Sequence, residues 1–297
     1  MRMKVRWRGL HLAAALALIA ACLDPASDRR APPPPPGANV LVGAGDIANC
    51  TSTGAEATAD LLDTIPGVVF TAGDNAYQSG SASDYAQCYE PTWGRHKTRT
   101  RPSPGNHDFV TDSAAPYYSY FGANAGDSGV GYYSYDVGAW HVISLNSSIS
   151  VAPGSPQEAW LRRDLGAHRA RCTLAYWHFP RFSAGLHGSL AAMQPLWQAL
   201  YDSGADVVLA GHDHNYQRFA PQTPAGALDS ARGIREFVVG TGGASHYTFP
   251  NTAANLEVKD STTFGVLKLT LDSARYAWVF VPVAGATFSD SGTASCH

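Results

Sequence analysis

Short apolar runs alternate with amphipathic stretches along most of this chain. Residues 40–43 read as a buried strand leading to Asp46, and 55–65 carry Ala, Leu and Ile at helical spacing. A second strand over 68–71 leads to Asp74. Residues 99–102 read as a short strand entering a Gly105-Asn106-His107 turn, and 132–137 with 140–145 as a hairpin around Gly138. Residues 156–169 form an amphipathic helix with Trp160, Leu161 and Leu165 inward, Ser155 as its cap and Pro156 in its first turn. A strand over 172–177 delivers His178, a helix follows over 190–201, and a strand over 207–210 delivers His212 and His214. Residues 234–239, 266–271 and 276–281 complete a strand-rich end. Alternating strands and helices followed by a run of strands predict two sheets packed face to face with helices outside.

The polar residues that punctuate this pattern are concentrated in five segments: Gly45-Asp46, Gly73-Asp74-Asn75-Ala76-Tyr77, Gly105-Asn106-His107-Asp108, Trp177-His178 and Gly211-His212-Asp213-His214. Most follow an apolar run, the end of a strand at which open α/β sheets place their ligands. Together they offer carboxylates, a phenol, an amide and several imidazoles, the donors two metal ions need with positions left for water and substrate. Tyr77 lies three residues after Asp74, so one loop can present both oxygens. A phenolate is a hard anionic donor suited to Fe(III). His212 and His214 alternate around Asp213, which in extended backbone would put both rings on one side.

These five motifs, in this order from Asn39 to at least Phe219, resemble the calcineurin-like metallophosphoesterases, and Tyr77 resembles the purple acid phosphatase branch. The resemblance implies a four-layer α/β/β/α sandwich and an exported phosphatase acting on small phosphate monoesters through a metal-activated hydroxide. A phosphodiesterase or nucleotidase on the same metals, or a non-catalytic phosphate-binding protein, are the alternatives. Asp46, Asp74, Tyr77 and His214 would hold one metal. Asp74, Asn106, His178 and His212 would hold the other, with Asp74 bridging Fe(III) and a divalent ion such as Zn, Fe or Mn. His107 is assigned to the transition-state charge and the leaving oxygen. His187 takes the first of two adjacent active-site histidine positions, the second being Gly188 here. Ala48 stands where the family usually shows glycine, and where other branches carry a histidine two residues after the first aspartate.

The N-terminal region changes the picture of location. Arg2, Lys4, Arg6 and Arg8 precede an apolar stretch ending in Ile19-Ala20-Ala21-Cys22, too short to span a bilayer. It resembles a bacterial lipobox with Cys22 as the lipidated residue; an ordinary cleaved signal peptide is the other reading, and both imply export to the periplasm, the cell surface or the medium. Residues 1–21 are then the signal segment, 22–38 a linker with five consecutive prolines in polyproline II, and 39–297 the catalytic domain. No nucleic-acid partner is expected: the net charge is −3, and removing the four positives of the signal segment takes it to −7. Membrane contact is expected only through the lipid anchor.

Export makes disulfides reasonable for the other four cysteines, and three pairings are possible. Cys50–Cys88 is preferred because it ties the loop after Asp46 to the segment after Asp74, and Cys172–Cys296 because it staples the C-terminus to a core strand. The basic run Arg95, His96, Lys97, Arg99 and Arg101 reads as a solvated strand face rather than an anion attractor, and His246 as a turn residue more than a pocket residue. His11, His141, His168 and His297 receive no role, Asp213 a supporting one, and the glycosylation patterns at Asn49 and Asn146 no weight.

Overall fold

The computed structural model describes Met1, Arg29, Arg30 and residues 39–297. The expected signal segment, except Met1, and the expected linker with Cys22 and the proline run, except Arg29 and Arg30, lie outside the described residues.

In chain order the elements are β1 (Val40–Ala44), α1 (Gly54–Thr64), β2 (Val68–Ala72), α2 (Ala82–Asp84), β3 (Thr100–Ser103), α3 (Ala115–Phe121), β4 (Tyr133–Val137), β5 (Trp140–Ser144), α4 (Pro156–Ala167), β6 (Cys172–Tyr176), α5 (Gln194–Asp202), β7 (Val207–Ala210), β8 (Tyr216–Phe219), β9 (Arg235–Val239), β10 (Leu256–Asp260), β11 (Gly265–Leu271), β12 (Arg275–Pro282) and β13 (Ser291–Ser295). They form a six-stranded mixed sheet ordered β13-β12-β11-β1-β2-β3 and a seven-stranded mixed sheet ordered β10-β8-β9-β7-β6-β5-β4. The two inner faces share one core, in which Phe70, Tyr133, Tyr135 and Tyr176 meet residues such as Leu267, Trp278 and Phe280. A second core lies beneath α4 and α5, where Trp160, Leu161, Leu196, Trp197 and Leu200 cover Ile143, Ala175 and Val208. The expected two-sheet sandwich with flanking helices is the observed architecture.

The central strands are buried on both faces, and their sequences are continuous apolar runs, VVFTA in β2 and VVLA in β7. The Ser155 side chain accepts from the Glu158 N–H at 3.3 Å, with Pro156 in the first turn, as the sequence implies. Helix α4 nonetheless ends at Ala167, because His168 leaves helical geometry and turns its ring back to the Asp164 carbonyl. The helix expected from residue 190 starts as a short 3-10 turn over Ala191–Met193 and becomes α-helical at Gln194, with Pro195 in its first turn.

The basic run is not a solvated strand face. Residues Trp93–Arg99 form a 3-10 helix and only Arg101 lies on a strand, where it is buried. Arg95 reaches Glu56, Asp60 and Asp63 on α1. Arg99 donates to the carbonyls of Leu62, Ile65 and Gly67, which satisfies the C-terminal end of that helix. The segment is a clamp on α1, a contact that no charge pattern displays.

The structure joins Cys50 to Cys88, with Cα atoms 4.9 Å apart, and Cys172 to Cys296, with Cα atoms 5.5 Å apart. The first holds the loops after β1 and β2 together; the second pins the C-terminus to β6.

Candidate metal centre

Strands β1, β2 and β3 are neighbours running parallel, and β6 and β7 are parallel neighbours in the other sheet. The five motifs follow these five strands, so the sandwich gathers them at one end. The loops are tight. Asp46, Asp74 and His212 have φ of 60°, 50° and 71°, a region costly for residues with a Cβ and held only where surrounding structure enforces it. Two glycines make room for the carboxylates: a Cβ on Gly105 would sit 2.2 Å from Asp74 Oδ1, and one on Gly211 would sit 2.7 Å from Asp46 Oδ2.

The two acids meet at a phenol. Tyr77 Oη lies 2.9 Å from Asp46 Oδ1, 3.1 Å from Asp74 Oδ2 and 3.1 Å from His214 Nε2. His214 Nε2 is also 3.2 Å from Asp46 Oδ1. On the other side, His178 Nε2 lies 3.2 Å from Asp74 Oδ2 and 3.0 Å from Asn106 Oδ1. Ligand atoms of Asp46, Asp74 and His178 all fall within 4.8 Å of one another. Each histidine is oriented from behind: His178 Nδ1 donates to the Ala72 carbonyl at 2.9 Å, and His214 Nδ1 is 2.6 Å from the Ser245 hydroxyl. These contacts turn both Nε2 atoms toward the acids, the arrangement metal-binding imidazoles use.

His212 departs from the sequence reading. Its positive φ takes it out of the extended backbone that would align it with His214. Its N–H donates to Asp46 Oδ2 at 2.8 Å, while its ring meets His178 edge-on at 5.0 Å and lies 4.1 Å from the His187 ring. His107 donates from Nδ1 to the Gln78 carbonyl at 2.6 Å, leaving Nε2 3.9 Å from Asp74 Oδ2. His187 is held by buried Asp213, whose Oδ1 accepts from the His187 N–H at 2.9 Å and faces its Nδ1 at 3.1 Å. His246 stacks on Phe264 at 4.0 Å.

Burial would raise the Asp46 carboxyl, but His214, with His178 and His212 beyond it, holds the acid well below the usual carboxylate range. Asp74 is likewise raised by burial and brought lower, chiefly by His178. His178 loses from burial but is carried up to about 9 by Asp74, and His212 is pushed down to about 3 by burial and by the neighbouring His178. Burial and then the two aspartates drive the Tyr77 phenol well above 10. A phenol has one proton to give, and here it faces two carboxylates and an imidazole. Protonated His178 offsets one of the two buried carboxylates, and a cation among these groups would balance the other. The donor set of carboxylate, phenol, amide and imidazole fits such ions.

Three supports had no reading from sequence. Asp108 is buried, receives the N–H groups of Gly105 and Asn75 and the Tyr85 hydroxyl, and so shapes the Asn106 turn. Ser245 and Tyr247 follow the glycine loop and back His214, with the Tyr247 ring stacked on it at 3.9 Å. Asp108 was visible inside the Gly-Asn-His-Asp motif; Ser245 and Tyr247 carried no local signal.

A family model described as calcineurin-like phosphoesterase matches residues 19–216. The chain belongs to the calcineurin-like phosphoesterase family. It lies on the purple acid phosphatase-like branch. Over 225 residues it is 26% identical to purple acid phosphatase 15 of Arabidopsis thaliana, covering 63% of this chain and 42% of that protein. Over 224 residues it is 27% identical to probable purple acid phosphatase 20 of the same plant, covering 65% of this chain and 52% of that one. The chain thus spans about half the length of these curated relatives. Among solved structures, the purple acid phosphatase PPD1 of yellow lupin superposes with a TM-score of 0.73 at 21% identity, over 86% of this chain and 53% of that one. The phosphoesterase fold is therefore shared across low identity.

Proposed function

We propose that this protein is a two-metal phosphatase that releases phosphate from monoesters. The observation that carries the reading is the Tyr77 hydroxyl, within 3.1 Å of Asp46, Asp74 and His214. Asp46, Asp74, Tyr77 and His214 would hold one ion and Asp74, Asn106, His178 and His212 the other, Fe(III) with a divalent partner. When bound, the ions supply Lewis acidity and a nucleophile at neutral pH. The chain's own residues do the rest. Asp46 and Asp74 fix the loops, and the Asp108 carboxylate holds the Asn106 turn. His107 and His187 would offer protons at Nε2, each with Nδ1 committed to Gln78 or Asp213. Export, lipidation at Cys22 and a domain spanning 39–297 belong to the same reading, and the paired cysteines suit an oxidising compartment.

The test is hydrolysis of an aryl phosphate by metal-loaded protein against Asp74→Ala. Rates no different between the two would reject catalysis at this site. A bis-ester cleaved faster than the monoester would reassign the enzyme as a diesterase. Loss of a visible charge-transfer band in Tyr77→Phe would establish the Fe(III)–phenolate bond; a colourless active protein would refute that ion. A Cys22→Ala form that still partitions with membranes would remove the anchor.

A further inference from the structure

A groove of about 1070 Å³ opens beside the metal centre and shares Asn106 and His212 with it. That volume lies at the top of the roughly 300–1,000 Å³ usual for small-molecule sites, so it holds far more than a phosphate group. Its wall is built by Ile149, Val151, Phe179, Leu190, Met193 and Pro195, contributed by the loop before α4 and the segments around α5. Two exposed apolar side chains lie next in sequence to the site's loops. Val110, three residues after His107, is 64% exposed and borders Asn106 in an adjoining pocket; Leu186, beside His187, is 51% exposed.

Charge on the wall is cancelled. Arg162 is the lone lysine or arginine lining the groove among the described residues. It is paired with Glu158 and, at 3.0 Å, with Asp202, and Gln198 donates to the same Asp202 at 2.7 Å. A second phosphate entering the groove would meet no free cation, and a sugar would find few polar partners on a wall that is mainly apolar, each unpaired polar group costing binding.

Resting on the phosphatase reading above, we propose that the substrate is a monoester whose alcohol is apolar, an aryl or alkyl phosphate. Its phosphate sits at the Asn106 and His212 end and its hydrocarbon lies along the groove. Water cleaves the P–O bond, and the alcohol departs with a proton through the apolar channel.

Two measurements on metal-loaded full-length protein test this. The first is kcat/KM for ethyl, butyl, hexyl and octyl phosphate beside glucose 6-phosphate and ATP. It should rise roughly two- to fourfold per methylene over the part of the chain that is buried, with both polar esters below butyl phosphate. The second is the affinity of methylphosphonate against octylphosphonate, which reads the groove without turnover. Octylphosphonate should bind at least tenfold tighter. Leu190→Asp should abolish that ratio; Ile149→Ser should halve the gain in a form with a smaller change. Equal affinity for the two phosphonates, or a preference for ATP or glucose 6-phosphate, overturns the proposal. Tight, length-dependent phosphonate binding with no hydrolysis of any ester would instead leave the groove standing and remove the phosphatase.

Discussion

Two clusters in this molecule use the same side chains to different ends. One joins Asp46, Asp74 and His178; the other joins His141, Asp164 and His168. In the second, His141 presents Nε2 to Asp164 at 2.7 Å and Nδ1 to Asp136 at 3.2 Å, and His168 Nδ1 lies 3.2 Å from the other Asp164 oxygen. The two imidazole rings stack at 4.7 Å, and Ser134 donates to Asp164 at 2.9 Å. Its members stand on β5, on α4 and at the end of α4, in ordinary backbone. Every carboxylate there has a donor. The first cluster stands on strand-end loops, both of its acids in left-handed backbone, each accepting one backbone N–H and sharing a single phenolic proton. Residue type does not separate the proposed metal centre from an ion-pair network; the left-handed backbone at both acids and the phenol between them do.

The sharpest way to break this contrast is to remove one member from each cluster. Asp74→Ala should lower aryl phosphatase kcat by roughly 10³-fold or more, since the shared carboxylate is lost from both proposed ions. His141→Ala should leave kcat within about twofold but destabilise the fold by about 3 kcal/mol, because it strands the buried Asp164. Steady-state kinetics and urea unfolding on both variants decide it; a catalytic defect in His141→Ala would erase the distinction.

Chelation gives the next largest effect. Saturating metal at about 100 times its Kd should add roughly 2.7 kcal/mol to stability, a melting shift of about 5–10 °C. Chelator should remove that shift in wild type and in His141→Ala alike, and have none to remove in Asp74→Ala. Calorimetric melting with and without chelator reads this, and a chelator effect that vanishes in His141→Ala would place metal in the wrong cluster.

A smaller effect concerns support of the catalytic loops. Asp213→Asn should lower kcat by about 10–100-fold with KM little changed, by loosening His187, and should alter the pH–rate profile. An unchanged profile and rate would make Asp213 purely structural.

The smallest concerns Glu236, which receives the N–H groups of Arg181 and Phe182 in the loop between His178 and His187. Burial pushes its carboxyl up to about 8. A folded value above the unfolded one makes its contribution complete below about pH 4.5 and progressively lost as pH rises through 8. Glu236→Gln should flatten that decline, measured by urea unfolding from pH 4.5 to 8.5; an unchanged slope would show that Glu236 is ionised throughout.

The chain's pattern alone determined the two-sheet sandwich and the five strand-end motifs, because buried strands must be apolar and their punctuation must be polar. It placed Asp46, Asp74 and Tyr77 at loop positions that the structure draws together. It misjudged the alignment of His212 with His214, since alternation assumes extended backbone and the turn after Gly211 is left-handed. Arg99 was misjudged for a related reason: its partners are carbonyls of α1, more than thirty residues away. Strands β8, β10 and β13 escaped notice because pairing across a sheet, not hydrophobicity, makes them strands. Ser245, Tyr247 and the apolar groove had no local signature at all. Local chemistry is written in adjacent residues, but hydrogen-bond partners, orientation and cavities arise where segments distant in sequence meet, and only folding brings them there.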